Sequence, residues 1–255
     1  MPQAIAAAKR ALELDESLAE AHTTLAYAEL VYNWDSLNAE KEFQRALALN
    51  PNYSTAHFWY AACLAAMNRV DEAVAQCREG QQLDPLSLII QSGVAWMYHF
   101  ARQDDRAIEE SRKALELDPD FVIAHFRLAI AYEQESREAE AISEFKKAVT
   151  LSNRSPDALA QLGHAYATFG YKAEAVEILK ELDRRSKQQY VSSYDIAEIH
   201  AALGDRDEAF EWLKKACAER SWSLAFVKVE RRLDALRSDP RFADVIRCVE
   251  AVSAH

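Results

Sequence analysis

Apolar and small side chains recur along this chain at i, i+3, i+4 and i+7, in stretches that come in pairs divided by short polar turns. That spacing predicts amphipathic helices packed two by two. The pairs themselves repeat. They begin at Ala19, Ser54, Leu88, Val122, Pro156 and Tyr190; the last five starts lie 34 residues apart, and the first unit is 35 long, with one extra residue in its Asn33-Trp34-Asp35 turn. Pro51, Pro85 and Pro119 keep the same 34-residue interval and close the phrases Leu49-Asn50-Pro51, Leu83-Asp84-Pro85 and Leu117-Asp118-Pro119. A fixed period of this size marks one supersecondary unit in tandem. In such an array a surface is the usual functional part.

Counting each unit from its first residue, position 8 is Ala26, Ala61, Ala95, Ala129, Gly163 and Ala197. It belongs to a stripe at positions 4, 7, 8 and 11, and its small side chains predict the close approach of a second helix. Position 20, on that second helix, is Ala39, Ala73, Ala107, Ala141, Ala175 and Ala209. Alanine in all six units is the strongest signal in the chain. Position 27 is small in five units, with Leu182 in the fifth, and Gly170 and Gly204 at position 15 predict a left-handed helix end.

These residues resemble the tetratricopeptide repeat, a helix–turn–helix unit with small residues at positions 8, 20 and 27 and proline at 32. The likeness runs over residues 2–220. It implies an all-α, right-handed superhelical solenoid with a C-terminal capping helix. Its units are a half-repeat at 2–18, full repeats at 19–53, 54–87, 88–121, 122–155, 156–189 and 190–220, and a cap at 221–255. The half-repeat is a second helix only, with Ala4 at position 20 and Ala11 at position 27, so either a longer protein is expected upstream or an odd helix caps the stack. The chain departs from the family at position 4, where the usual tryptophan is His22, His57, Gln91, His125, Leu159 and Ser193. The run Tyr190–Arg247 is similar to the C-terminal repeat region of bacterial multidomain regulators.

The resemblance also implies where a partner docks: the concave face, lined by positions 2, 5, 9 and 12 of each first helix. Here that face carries Tyr27, Phe58, Ile89, Trp96, Ile123 and Phe126, together with Ile130, His164 and Tyr194, and Trp59 and Arg127 stand at its edge. An apolar and aromatic strip facing water is expected to be covered by something. A protein or peptide segment laid along it is one reading; rings packed between neighbouring repeats is the other. One family subtype clamps a C-terminal carboxylate with Lys and Asn, but only Arg127 matches that set, so this chemistry is not implied. The three position-4 histidines are expected to be hydrogen-bonded core residues. Repeats stack about 10 Å apart, whereas metal ligands converge within about 2.2 Å of one ion.

Beyond the tail's start at Arg220 the register is lost. Ser221–Val227 is apolar and is expected to close the stack. Asp239 and Pro240 predict a helix start, with Phe242, Val245, Ile246 and Val249 on one face.

Charge and chemistry narrow the function. The net charge is −11. It lies entirely in residues 1–182, because Lys+Arg and Asp+Glu balance in residues 183–255. Nucleic-acid binding needs the opposite sign, and a partner with basic character fits better. No apolar run is long enough for a membrane span. Cys63, Cys77, Cys217 and Cys248 show no paired spacing and read as reduced, mostly buried thiols of a cytoplasmic protein. The acidic runs Glu133–Glu140 and Asp205–Glu211 read as solvated turns. No nucleophile, phosphate-loop or metal motif is present, so the expectation is a non-enzyme with no cofactor and no metal. Two rivals to partner docking stand. Self-assembly would use the bare N-terminal edge and the tail helix. Small-ligand sensing would need a deep enclosed pocket near Trp59 and Trp96.

Overall fold

The computed structural model describes residues 1–252. Helix α1 (Pro2–Leu14) stands alone and is followed by six helix pairs. These are α2 (Ala19–Val31) with α3 (Ser36–Leu49), α4 (Ser54–Ala66) with α5 (Val70–Leu83), and α6 (Leu88–Phe100) with α7 (Asp104–Leu117). Next come α8 (Val122–Gln134) with α9 (Glu138–Leu151), α10 (Pro156–Thr168) with α11 (Lys172–Ser186), and α12 (Ser193–Leu203) with α13 (Arg206–Ala218). Two 3₁₀ segments, Trp222–Phe226 and Arg231–Leu236, lead to α14 (Phe242–Val252). The described residues contain helices and no strands, arranged as an all-α solenoid of stacked pairs.

Packing within each pair follows the small positions. The position-20 alanines are at most 1% exposed, and the position-8 alanines are fully buried. A Cβ on Gly163 would stand 2.9 Å from Ile178 and 3.0 Å from Ile199, so the fifth pair is closer than an alanine would allow. Gly80 is tight for the same reason, its added Cβ falling 3.0 Å from the Ser54 carbonyl.

The turn inside the second to sixth pairs uses a left-handed residue at position 15 whether or not glycine stands there; in the longer first unit the left-handed residue is Trp34, at φ 53°. Asn68, Arg102 and Ser136 adopt φ of 62°, 57° and 56°, and Gly170 and Gly204 adopt 85°. The geometry of the pair overrides the residue's own preference.

Neighbouring units are joined by two recurring polar contacts. The position-4 side chain reaches back to a carbonyl six residues earlier. His57 bonds Pro51 at 2.8 Å, Gln91 bonds Pro85 at 2.5 Å, and His125 bonds Pro119 at 2.9 Å. Its other side meets the second helix of its own pair, as His22 meets Glu42 and His125 meets Glu144, both at 2.6 Å. The histidines are thus hydrogen-bonded where the family places tryptophan. Across the next junctions, Arg78 and Arg112 each donate to the hydroxyl of a following tyrosine, Tyr98 and Tyr132, at 2.8 Å.

Three expectations need correcting. Cys217 and Cys248 are not free thiols: a disulfide joins them and ties α13 to α14, with their Cα atoms 6.5 Å apart. Cys63 and Cys77 are the buried free thiols; burial pushes Cys63 up to about 12 and raises Cys77 as well. Second, residues 222–236 do not extend the end of the stack; they turn back against its first helices. Third, α14 begins at Phe242 rather than at Pro240, although Asp239 does accept the Arg241 amide at 3.0 Å as a capping residue would. The apolar face read for this helix is otherwise present, with Phe242, Val245 and Val249 buried. At the other end, α1 lies on α2 with only Ala8 buried; Ala4 is exposed and Ala11 half-buried.

Two outcomes follow from this packing. Ala107→Leu is expected to lower stability by about 1–3 kcal/mol through overpacking, read by urea denaturation; an unchanged midpoint would break the helix-pair register. Thiol titration in denaturant without reductant is expected to find the two free thiols Cys63 and Cys77 rather than four.

Candidate functional site

The first helices α2, α4, α6, α8, α10 and α12 line the concave face, and the returning chain lies against them. Residues of the first 3₁₀ segment meet α2 and α4, and those of the second meet α12. In between, Phe226 packs on Trp96 with ring centroids 4.8 Å apart and on Phe100 at 5.8 Å, and Trp222 meets Trp96 at 6.4 Å. The aromatic middle of the groove is therefore covered by the chain's own tail.

Charge fixes that tail. Arg231 makes a forked contact to Asp104, at 2.7 and 2.9 Å, and Arg102 reaches Asp234 at 2.7 Å. Arg232, 8% exposed, enters a cluster of buried polar groups. Its guanidinium bonds Glu133 at 3.2 Å and Gln161, and lies 3.7 Å from Glu198. Its own backbone amide donates to Glu230 at 3.1 Å, and Glu230 also faces His99 at 3.6 Å. Glu133 meets His164 at 3.2 Å.

The titration of these groups follows from their neighbours. Burial opposes ionisation of Glu133, but Arg232 and His164 outweigh it and hold the carboxyl below its usual range. Glu230 is likewise buried, yet His99 and Arg232 bring it down to about 2. Glu198 goes the other way, raised by burial and by Glu230 beside it. Burial lowers His164, with Arg232 adding to the effect. Burial also lifts Asp195, near the start of α12, to about 7, with Asp157 adding to the effect. Arg232 thus offsets burial at Glu133 and Glu230, whereas at Glu198 and Asp195 burial and neighbouring carboxylates outweigh it and favour the neutral form.

The predicted groove residues separate into four groups. Tyr27, Phe58 and Trp59 form an aromatic step at the N-terminal units, with Trp59 4.4 Å from Tyr27 and 4.6 Å from Phe58. Phe58 serves the packing of repeats: it is 6% exposed, and a Cβ on Gly93 would fall 2.4 Å from its ring. Trp96, Phe126, Arg127, Ile130 and Tyr194 are brought together around a cavity of about 260 Å³ under the tail. Ile89 and Ile123 stand at the edge, Ile89 at 46% exposed. His164 belongs to the charge cluster rather than to an apolar strip.

Sequence reading missed Arg231, Arg232, Glu133 and Glu230. Glu133 in particular is not a solvated turn residue; it is 4% exposed, on the concave side of α8. The available signal was two adjacent arginines in a tail otherwise rich in apolar residues. Among the described residues, no cluster of His, Cys, Asp and Glu has the arrangement of a metal site, and no helix is long and apolar enough to cross a membrane.

The stacked pairs of this length, with a ligand-sized cavity on their concave side, define a helical-repeat protein with a groove. Tetratricopeptide repeat models match residues 37–95, 101–158, 156–189 and 191–220. The chain belongs to the tetratricopeptide repeat family. Among solved structures it is similar to the APC/C hetero-tetramer Cut9–Hcn1, at 15% identity and a TM-score of 0.68, over 97% of this chain and 45% of that one. It is also similar to PilW, described as a type IV pilus biogenesis factor, at 20% identity and a TM-score of 0.60, over 86% of this chain and 97% of that one. Pseudomonas aeruginosa pilF aligns at 16% identity with a TM-score of 0.57, over 84% of this chain and 96% of that one. These likenesses are of fold. No curated protein matches the chain in sequence.

Removing the central cation leaves its carboxylates buried and unpaired. Arg232→Met is therefore expected to cost about 3–5 kcal/mol, measured by chemical denaturation. A loss below about 1 kcal/mol would mean that the cluster is solvated in the native state.

Proposed function

We propose that this chain is a non-catalytic interaction scaffold that takes a partner segment along its concave face, as the docking or sensory part of a larger bacterial regulator. The observation that carries the reading is the tail itself. The groove already holds a segment with two features: aromatic rings against Trp96, and an arginine against Glu133. A partner segment combining aromatic and basic residues has the same chemistry. It also suits the negative charge of the repeats. Towards the N-terminal units the tail leaves Tyr27 and Trp59 half-buried and Ile89 exposed. That end of the strip is where an incoming segment first meets apolar surface, and it can extend inward by displacing the tail.

The test is a pull-down from the source cell's lysate with the full chain beside a Trp59→Ala/Ile89→Ala variant, with circular dichroism showing that both are folded. Loss of a specific captured protein in the variant is the expected result. The same proteins on both baits would remove the concave strip as the docking surface. Phe58 is unsuitable for this purpose, because truncating a ring packed between repeats costs about 3 kcal/mol or more.

A further inference from the structure

The cavity under the tail differs from the rest of the groove. At about 260 Å³ it lies just below the usual range for ligand sites. It is too small for a peptide and large enough for a small metabolite. Its wall is aromatic and aliphatic on one side, from Trp96, Phe126, Ile130 and Phe226. Trp222 and Tyr190 stand at its mouth, 49% and 66% exposed.

Charged groups in the same wall are of two kinds. Arg232 and Glu230 are already engaged, with Glu133, Gln161 and His99 as described. Arg127 and Asp195 are not. The Arg127 guanidinium lies 4.6 Å from the centre of the Trp96 ring, its Nε is buried without a hydrogen-bond partner, and among the described residues it forms no ion pair. Its burial pulls even an arginine down to about 10. Asp195 has the Ser192 hydroxyl beside it and, among the described residues, no cation at ion-pair distance. Asp157 is its exposed neighbour at the mouth. The Tyr194 side chain lies in the same wall, 3% exposed, with its hydroxyl buried and unpartnered.

A buried charge without a partner is costly to a fold unless a ligand supplies the opposite charge. This cavity presents a half-buried cation, Arg127, and, on another helix, a half-buried carboxyl, Asp195, each without an ion-pair partner among the described residues. A simple anion would meet the carboxylates, and a simple amine would meet the guanidinium. A molecule with both charges, separated by a short span, satisfies both. We propose that the cavity binds a free α-amino acid with an apolar side chain. Its carboxylate pairs with Arg127, its ammonium with Asp195, and its side chain lies among Trp96, Phe126 and Phe226. The Tyr194 hydroxyl adds a hydrogen bond to one of the two charged ends. The tail forms one wall, so occupancy would hold residues 222–232 against the groove.

The proposal goes beyond partner docking and stands or falls separately from it. Titration calorimetry on the full chain would use L-phenylalanine and L-leucine, and beside them phenethylamine and 3-phenylpropionate, which keep the ring and lose one charge each. Saturable binding of at least one amino acid, with both single-charge analogues weaker by about tenfold or more, is expected. Asp195→Asn and Arg127→Met, each shown to be folded, are expected to weaken it by about tenfold or more as well. No saturable heat with either amino acid up to about 10 mM would overturn the proposal. So would an analogue that binds as tightly, or folded variants that bind unchanged. The analogue comparison uses the unaltered chain and does not depend on any variant folding.

Discussion

The distance between the two helices of each pair governs everything else here. Position 20 admits only a methyl group, and position 8 faces it with another methyl or with none. Six pairs set at the same spacing stack into one curved array, and its curvature gathers the first helices on the inner side. An array held by neighbour contacts can tolerate variation elsewhere. Histidine and glutamine can therefore replace tryptophan at position 4, provided they still reach the preceding carbonyl. Arginine and serine can occupy a left-handed turn that suits glycine better.

On the inner side the apolar strip and the acidic residues present complementary needs, and the tail meets both. Its rings cover Trp96 and Phe100, and its two arginines compensate Asp104 and Glu133. Neither would suffice alone. A purely apolar segment would bury the carboxylates of α8 and α12 without a counter-charge, and a purely basic one would leave the aromatic floor wet. The occupant's composition therefore reads as an imprint of the groove. Where the imprint is incomplete, at Arg127 and Asp195, charge is left over beside open volume.

Much of this fold was legible because it depends on short-range sterics repeated six times. Ala107 or Ala141 alone says little, but alanine at the same phase in every unit leaves one explanation. The turns were half legible: Gly170 and Gly204 signalled a left-handed residue, while Arg102 and Ser136 adopt it only because the pair geometry demands it. The site was harder. Tyr27, Trp96 and Phe126 were expected on the concave face because the family resemblance assigns their repeat positions to it, yet position could not separate Phe58, wedged over Gly93, from Trp59 beside it. Glu133 looked like the first residue of an acidic turn, because the arginine that buries it lies 99 residues later. Nor did cysteine spacing link Cys217 to Cys248. Both depend on the path of the chain after its register ends, which no local pattern encodes.

That path changes the kind of object the array is. Arg220 stacks near the Tyr32 ring at the end of α2, and Ala225 and Val227 share a pocket wall with Trp34, while α14 is pinned to α13. The last segment thus touches the first full unit and the final one. A linear row of springs has two loose ends from which it can unravel link by link. A row whose ends are tied through a central strut carries load as a hoop does. Tension applied to one repeat is shared by those opposite it, and the groove keeps its bore until the strut is withdrawn.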